Sequence, residues 1–240
     1  MILQTLDAVI LDLDGTMVDT MADFVAAVNL MLHDIDFRPV DRTVVELFVG
    51  KGSEHLVHSI LNHALGIETR GLCAINNEAN EENQALLLFD AAFASYQRHY
   101  RAINGQHAAV YPGVVDGLLG LKRAGLKLVC LTNKPLAFAH ALLKLKNLDG
   151  FFSGVFGGDS FERKKPNPLP LVKACEFLGT LPARTLMIGD SSNDAQAARG
   201  AGCPVLLVTY GYNHGQPIRD VDADGYIHSL AELHLLLPTG

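Results

Sequence analysis

The chain has 240 residues and a formal net charge of −7, and 49% of its residues are hydrophobic whereas 19% are charged. This balance is ordinary for a globular protein, and the length suffices for one large domain or two unequal ones. The negative net charge argues against a nucleic-acid binder, because such proteins use a surplus of lysine and arginine to displace counterions. An anionic substrate is still compatible with it, since the field inside a pocket can oppose the net charge.

Cysteine spacing and hydropathy bear on the cellular compartment. Cys73, Cys130, Cys175 and Cys203 lie far apart and form no CxxC pair, which suits neither a zinc site nor a dense disulfide framework and predicts buried free thiols. No apolar stretch is long enough to cross a bilayer, and the N-terminus lacks the features of a signal peptide. We therefore expect a cytoplasmic protein that has no membrane or nucleic-acid partner.

The first predicted element is a strand. Residues 8–11 form a short apolar run that ends in Asp12-Leu13-Asp14-Gly15-Thr16. A continuous apolar run before a turn is typical of a strand buried on both faces of a parallel sheet. A helix is predicted to follow, capped by Asp19 or Thr20, because apolar residues then recur at helical spacing.

The next part of the chain, to about residue 104, predicts helices and no convincing strand. Asp41 and Ser53 stand where helix N-caps are expected, and the turn Gly50-Lys51-Gly52 lies between the two helices that they begin. A long helix is predicted from about Ala79 to Tyr100.

Strands and helices alternate in the last part of the chain, after Tyr111-Pro112-Gly113. Strands are predicted over 126–131, 154–156, 185–188 and 204–208 and near Tyr226, and helices from about Pro135, Pro168 and Ser192. Such alternation predicts right-handed crossovers and a parallel sheet with helices on both faces. The first strand must join this sheet. The predicted fold is therefore α/β, with a Rossmann-like parallel core (residues 1–17 and 105–240) and an inserted α-helical domain (residues 18–104).

Polar clusters follow three predicted strands, at the edge where open α/β sheets bind ligands. They are Asp12 with Asp14, then Thr132-Asn133-Lys134, then the run from Gly189 to Asp194. A spacing of two places Asp12 and Asp14 on one side of an extended chain, roughly 6 to 7 Å apart. One could attack a phosphorus atom and the other protonate the leaving oxygen. A turn or capping role is the alternative for this pair.

The carboxylates at this edge predict a metal site. Asp190 would repel Asp12 unless a cation lay between them. Oxygen ligands without histidine or cysteine favour Mg²⁺, and the candidate ligands are Asp12, Asp14, Asp190 and Asp194. Asp194 could bind directly or orient the metal's waters. A helix-capping role is the alternative for Asp190 and Asp194.

The remaining polar residues of these clusters predict a phosphate site. Thr132 and Asn133 can donate hydrogen bonds to a phosphate, and Gly15 allows a tight turn whose N–H could face a phosphate oxygen. Lys165 supplies a compact positive charge, whereas Lys164 is interpreted as solvated. A metal, a lysine and fixed donors suffice for phosphoryl transfer, which depends mainly on positioning and electrostatics.

Taken together, these runs resemble the haloacid dehalogenase superfamily of phosphotransferases over nearly the whole chain. Its four motifs appear in order as Asp12-Leu13-Asp14-Gly15-Thr16, Thr132-Asn133, Lys165 before Pro166, and Gly189-Asp190-Ser191-Ser192-Asn193-Asp194. The resemblance implies Asp12 as nucleophile, Asp14 as acid/base and an acidic metal site, and the helical insertion looks like that superfamily's cap. The chain looks most like phosphoglycolate phosphatases, on the runs Tyr111-Pro112-Gly113-Val114, Gly157-Gly158-Asp159-Ser160, Lys165-Pro166-Asn167-Pro168 and Thr209-Tyr210-Gly211-Tyr212.

The resemblance implies a Mg²⁺-dependent phosphatase for a small phosphorylated metabolite, with 2-phosphoglycolate as the best candidate. Lys51 could pair with a substrate carboxylate or be an ordinary loop lysine, and His55 and His58 are interpreted as surface or packing residues. Three rivals are a C–halogen hydrolase, which Asp14 and Asp190 argue against, a sugar-phosphate phosphatase or phosphomutase, and a non-catalytic binding module. The sequence predicts no particular oligomeric state.

Overall fold

The structure is a computed structural model that describes residues 6–66 and 78–235. Its helices and strands in chain order are β1 (Ala8–Leu11), β2 (Val18–Asp19), α1 (Met21–Asp34), α2 (Arg42–Phe48), α3 (Ser53–Ala64), α4 (Glu78–Ile103), β3 (Ala109–Val110), α5 (Val114–Arg123), β4 (Lys127–Leu131), α6 (Leu136–Leu145), β5 (Gly154–Phe156), α7 (Leu169–Leu178), β6 (Thr185–Gly189), α8 (Ser192–Ala201), β7 (Val205–Val208) and β8 (Gly225–Ile227). Short 3-10 turns lie between several of them.

Six of the strands form one parallel sheet in the order β5-β4-β1-β6-β7-β8. β1 lies near the middle, between β4 and β6, although it is the first strand in the chain. Leu11 is the register partner of Cys130 on one side and of Ile188 on the other. The prediction of an α/β fold whose first strand joins a later sheet is therefore confirmed.

The sheet is buried on both faces because its strands alternate their side chains between two apolar layers. Val9 and Leu11 pack in the layer that contains α5 and α6, whereas Ala8 and Ile10 pack against α7 and α8. Burying one aliphatic side chain of this size contributes about 1.5–3 kcal/mol. This continuous burial is what makes residues 8–11 an unbroken apolar run in the sequence.

Helices α1 to α4 surround an apolar cluster of their own. Phe24 of α1 stacks on Tyr100 of α4 with ring centroids 5.3 Å apart, and Tyr96 stacks on Tyr100 at 5.4 Å. Aromatic pairs of this kind add about 0.5–1.5 kcal/mol beyond the area they bury. The stacked aromatic side chains therefore hold helix α1 against helix α4. They place the Tyr100 ring beside the carboxyl edge of the sheet.

A short antiparallel ribbon joins β2 and β3, where no strand was predicted. Val18 pairs with Val110 and Asp19 with Ala109. The buried Asp23 carboxylate reinforces this junction by accepting the N–H groups of Gly105 at 2.6 Å and His107 at 2.8 Å. Two-residue strands are too short to produce a periodic signal in the sequence, which is why the pattern missed them.

Two further expectations concern thiols and membranes. Cys130, Cys175 and Cys203 are buried free thiols, as their spacing predicts, and Cys73 lies outside the described residues. Among the residues that the structure describes, no helix combines the length and apolar character needed to span a bilayer.

Candidate active site

Asp12 directly follows β1 and is buried, with 9% of its surface exposed. Its N–H donates to the Ile188 carbonyl at 2.9 Å, and its Oδ1 accepts the Leu13 N–H at 2.7 Å and lies 3.1 Å from the Lys165 ammonium. Burial raises the pKa of Asp12 to about 7, although Lys165 opposes that rise. The carboxylate is therefore held by fixed donors but poorly solvated, which suits a nucleophile.

Lys165 is a buried cation of this site, with 2% of its surface exposed. Its Nζ donates to the Leu131 carbonyl at 2.9 Å and to Asp194 Oδ1 at 2.7 Å, in addition to its contact with Asp12. Burial by itself would lower the pKa of Lys165, but the carboxylates of Asp12 and Asp194 raise it. The side chain therefore stays charged and links the ends of β1, β4 and α8.

Asp194 lies in the first turn of α8 and is fully buried. Its Oδ2 accepts the N–H groups of Asp190 and Ser191, each at 3.2 Å, and the Ser191 hydroxyl at 2.7 Å. Ser191 and Asp194 form a capping box, which fixes the start of the helix. Because its Oδ1 binds Lys165, both oxygens of Asp194 are engaged, an arrangement that favours orienting the ammonium.

Asp190 follows β6, and a separate donor holds each of its oxygens. The Thr16 hydroxyl donates to Oδ1 at 3.1 Å, and the Tyr212 N–H donates to Oδ2 at 2.6 Å. Burial, followed by the nearby charges of Asp194 and Asp12, raises the pKa of Asp190 well above its usual range. A carboxylate in this position needs a positive partner to remain ionised.

The three carboxylates Asp12, Asp190 and Asp194 fit a divalent cation. One oxygen from each lies within 4.8 Å of the others. When all three are ionised, the single ammonium of Lys165 leaves an excess of negative charge that a divalent ion would balance. The donors are all carboxylate oxygens, which suits Mg²⁺. Asp14, the fourth predicted ligand, is not in this cluster.

Asp14 instead pairs with Lys134, a residue to which the sequence assigned no role. The Lys134 ammonium contacts Asp14 Oδ1 at 2.9 Å and Oδ2 at 3.1 Å, and the Thr20 hydroxyl donates to Oδ1 at 2.8 Å. The ammonium also donates to the Tyr100 hydroxyl and lies over the rings of Phe24 and Tyr100. Lys134 thus fixes the predicted acid/base against helices α1 and α4. Its position in the polar run after β4 was the available signal.

Gly15 is required for steric reasons. Its φ of +81° is a conformation that side-chain-bearing residues rarely adopt, and a Cβ there would lie 2.1 Å from Asp190 Oδ2. Its N–H donates to the Val18 carbonyl at 2.9 Å. The N–H that was predicted to face a phosphate is therefore used inside the turn in this structure, and the glycine's contribution here is room for Asp190.

Thr132 and Asn133, the predicted phosphate donors, differ in where their side chains lie. Thr132 Oγ1 accepts the Lys134 N–H at 3.2 Å, so its own proton can be directed elsewhere. The Asn133 amide grips the backbone of Lys165, accepting its N–H at 3.0 Å and donating to its carbonyl at 2.8 Å. Asn133 also donates to the Gly50 carbonyl at 2.9 Å. In this structure its side chain positions Lys165 and the α2–α3 turn.

Several of these residues line a small enclosed cavity between the sheet edge and the helical cluster. Its volume is about 30 Å³, room for about two water molecules. The lining comprises Asp12, Asp14, Phe24, Val49, Gly50, Gly52, Ser53, Leu56, Tyr100, Thr132, Asn133, Lys134, Asp190, Ser191 and Tyr212. Residues from both parts of the chain therefore close the space around Asp12.

Lys51 is half-buried and is not among the residues that line this cavity. Its charge reaches two histidines instead: burial, assisted by Lys51, lowers the pKa values of His55 and His214. His55 hydrogen-bonds Ser59 within its own helix at 2.9 Å. The structure thus brings Lys51 beside His55 and His214, outside the space that Asp12 faces.

The close approach of Gly211 to Asp190 gives a steric test of the site. A Cβ at position 211 would lie 2.2 Å from the Asp190 Cβ and 2.6 Å from the Gly15 carbonyl oxygen. We expect Gly211→Ala to displace Asp190 and lower phosphate release at least about tenfold. The matched control is Gly120→Ala in α5, where nothing lies within 4 Å of the added atom. It should keep activity and stabilise the fold by about 0.5–1 kcal/mol. Equal activity of both variants would contradict the prediction.

Comparison with known proteins agrees with these motifs. The family model of haloacid dehalogenase-like hydrolases matches residues 6–202. The phosphoglycolate phosphatase of Thiobacillus denitrificans is 39% identical over 230 residues, covering 96% of this chain and 95% of its own. The "Phosphoglycolate phosphatase, plasmid" of Cupriavidus necator is 40% identical over 230 residues, covering 96% and 92%.

A solved structure resembles the whole fold. The crystal structure of a predicted phosphoglycolate phosphatase from Haemophilus somnus 129pt matches with a TM-score of 0.86 and 28% sequence identity, covering 97% of this chain and 98% of that one. The family match spans the predicted nucleophile, Lys165 and the carboxylates that follow β6. The chain therefore belongs to the haloacid dehalogenase-like hydrolases, as its motifs indicate.

Proposed function

We propose that this protein is a Mg²⁺-dependent phosphatase that removes phosphate from a small phosphorylated metabolite by way of a phosphoryl group carried on Asp12. One observation carries the proposal. The buried Asp12 carboxylate faces an enclosed cavity, lies 3.1 Å from the Lys165 ammonium, and shares that cavity with Asp14 and Asp190. A nucleophile held by a fixed cation thus shares one space with two further carboxylates, and that space is where a phosphoryl group would bind.

In the first step an oxygen of Asp12 attacks the phosphorus atom. The bond between phosphorus and the leaving oxygen breaks, and Asp14 in its acid form gives that oxygen a proton, so that an alcohol departs. Lys165 holds Oδ1 of Asp12, which leaves Oδ2 to attack. Lys134 and Thr20 hold Asp14 in place for the transfer.

In the second step the aspartyl-phosphate is hydrolysed. Asp14, now a carboxylate, takes a proton from a water molecule, whose oxygen attacks phosphorus. The bond between phosphorus and Asp12 breaks, inorganic phosphate leaves and the free carboxylate is restored. Thr132 lines the cavity, and its hydroxyl would donate to a phosphoryl oxygen.

Asp12 and Asp190 are the proposed direct ligands of Mg²⁺. The ion, when bound, would neutralise the charge that develops on the phosphoryl oxygens. Asp194 is assigned to Lys165 and the helix cap, because its Oδ1 pairs with the Lys165 ammonium and its Oδ2 accepts three hydrogen bonds at the start of α8. Each oxygen of Asp190, in contrast, accepts only one from the part of the chain that the structure describes. The Thr16 hydroxyl and the Tyr212 N–H orient Asp190 toward its ligand position.

The proposed substrate is 2-phosphoglycolate, which would give glycolate and phosphate. Relatives at 39% and 40% identity that are named phosphoglycolate phosphatases support it. We further propose that residues 18–104 act as a cap on a core of residues 1–17 and 105–240. The cap would part from the core to admit substrate and exclude water when closed.

A phosphate-release assay across small phosphoesters tests this proposal. The panel contains 2-phosphoglycolate, 3-phosphoglycerate, glucose 1-phosphate and glucose 6-phosphate. We expect kcat/KM for 2-phosphoglycolate to exceed the others at least about tenfold. EDTA should abolish release and added Mg²⁺ should restore it, because Asp12 and Asp190 need the ion's charge.

Each part of the proposal fails on a different result. A preference for hexose phosphates would overturn the substrate and leave the mechanism standing. Glucose 6-phosphate formed from glucose 1-phosphate, without free phosphate, would indicate a phosphomutase. Unchanged release in EDTA would contradict the metal requirement, and no turnover of any phosphoester would favour a binding module.

A further inference from the structure

Tyr212 contacts both the start of α1 and the proposed metal ligand Asp190. It is buried in the segment after β7, and its hydroxyl reaches the start of α1. The hydroxyl oxygen accepts the N–H groups of Thr20 at 2.9 Å and Met21 at 3.1 Å, and its proton goes to the Asp19 carboxylate. Thr20 supplies no side-chain cap to α1. The tyrosine therefore satisfies the Thr20 N–H and shares the Met21 N–H with Asp19 Oδ1, which accepts it at 3.2 Å.

The backbone of the same residue holds the proposed metal ligand. The Tyr212 N–H donates to Asp190 Oδ2 at 2.6 Å, a short distance for such a bond. A neighbouring tyrosine ties the same segments together, because the Tyr210 hydroxyl donates to the Thr16 carbonyl at 2.9 Å and the Thr16 hydroxyl donates to Asp190 Oδ1. The donors to both oxygens of Asp190 are therefore positioned by the contacts between the segment after β1 and the segment after β7.

We infer that Tyr212 is a positioning residue that couples the entry into α1 to the orientation of Asp190. Its hydroxyl is anchored on Asp19, Thr20 and Met21 while its N–H donates to Asp190 Oδ2. Without the anchor, the segment after β7 gains freedom and Asp190 loses a fixed donor. The inference rests on the proposed function, since it assigns Asp190 to Mg²⁺. Its consequence is that a change at the start of α1 alters metal affinity.

Tyr212→Phe tests this, because it deletes the hydroxyl and keeps the ring. Mg²⁺ binding is measured on the metal-free protein by isothermal titration calorimetry, without substrate, and phosphate release is measured separately. We expect Mg²⁺ affinity and kcat each to fall about tenfold, as when other groups that orient metal ligands are removed. The KM for substrate at saturating Mg²⁺ should change less than about threefold, because the hydroxyl is already engaged by Asp19, Thr20 and Met21.

Two further variants separate coupling from general loosening of the fold. Tyr226→Phe is the matched control: its hydroxyl donates to the Val221 carbonyl, away from the site, and its loss should leave Mg²⁺ affinity unchanged. Asp19→Ala removes the acceptor of the Tyr212 hydroxyl and should weaken Mg²⁺ binding in the same direction. The double variant with Tyr212→Phe should then be no weaker than the more affected single variant.

The outcomes distinguish this inference from the proposed function. Wild-type Mg²⁺ affinity in both Tyr212→Phe and Asp19→Ala would overturn the inference alone, even if their melting temperatures fall. Additive losses in the double variant would also overturn it, because independent effects need no coupling. A wild-type protein that binds no Mg²⁺ would overturn the metal assignment itself.

Discussion

Asp12→Asn should abolish phosphate release while leaving the protein folded. The substitution keeps the shape of the side chain and removes the anionic oxygen that attacks phosphorus. Loss of a nucleophile that acts with its partners as a unit costs on the order of 10⁴-fold in kcat or more. Activity on every phosphoester of the panel should fall together, because each would use the same first step. Phosphate release from all four substrates, measured at saturating Mg²⁺, checks this.

The fold should tolerate this change because of the way Asp12 is buried. Burial raises the pKa of Asp12 to about 7, above its ordinary value of 3.8. At neutral pH the ionised side chain therefore costs the folded state stability relative to the unfolded chain. The neutral amide removes that cost, so the melting temperature of the metal-free variant should equal or exceed that of the wild type.

The control for Asp12→Asn is the same change at an exposed carboxylate. Asp149 lies at the surface, and Asp149→Asn should leave both activity and stability near wild type. Wild-type turnover in Asp12→Asn would show that another group attacks phosphorus. A variant that unfolds would instead contradict our account of the burial of Asp12.

Much of the site could be predicted because parallel strands end at the same edge of a sheet. Leu11 and Ile188 are register partners, so the residues after them, Asp12 and the Gly189-Asp190 pair, must lie close together. The sequence shows each strand as an apolar run, and the run's last residue locates the edge. Lys165 was assigned to the site for its positive charge and through the motif resemblance, because no predicted strand ends directly before it in the sequence.

Side-chain direction accounts for what could not be predicted. Thr132, Asn133 and Lys134 are consecutive, yet their side chains contact a cavity, the Lys165 backbone and Asp14 respectively. Spacing alone does not fix such choices, because they depend on rotamers and on residues far away in the chain. Tyr212 was missed for the same reason: its role requires both Asp190 and the start of α1. The available signals were its place after β7, at the same sheet edge, and the run Thr209-Tyr210-Gly211-Tyr212 that supports the family resemblance.

Lys165→Met should impair activity and stability together, because the ammonium is the fixed cation among the clustered carboxylates. Methionine roughly matches the length of lysine but leaves Asp12 and Asp194 without their shared partner. Removing one member of a buried ion pair costs about 3–5 kcal/mol. We expect the free energy of unfolding of the metal-free protein to fall by about that amount at neutral pH. Turnover should fall on the order of 10²–10³-fold.

The loss of stability in Lys165→Met should depend on pH in a definite direction. Lys165 holds the pKa of Asp12 down to about 7, so that pKa rises further in the variant. A carboxyl group whose pKa is higher in the folded state than in the unfolded chain binds more protons when folded. The variant therefore regains stability as the pH falls from 8 toward the unfolded value of 3.8. Urea unfolding at about pH 5.5 and about pH 8 should show the larger deficit at the higher pH.

The control for Lys165→Met is its neighbour, Lys164→Met. Lys164 is only half-buried and was interpreted as solvated, so its loss should cost less than about 1 kcal/mol at either pH. A deficit in Lys165→Met that does not change with pH would mean that lost packing, and not uncompensated carboxylates, destabilises the variant. Equal deficits in both variants would contradict the assignment of Lys165 as the shared partner. A pH-dependent loss of stability in Lys165→Met, without one in Lys164→Met, would show that the excess negative charge lies at the site proposed for Mg²⁺. The carboxylates there would then need either the Lys165 ammonium or added protons to be stable in the folded protein.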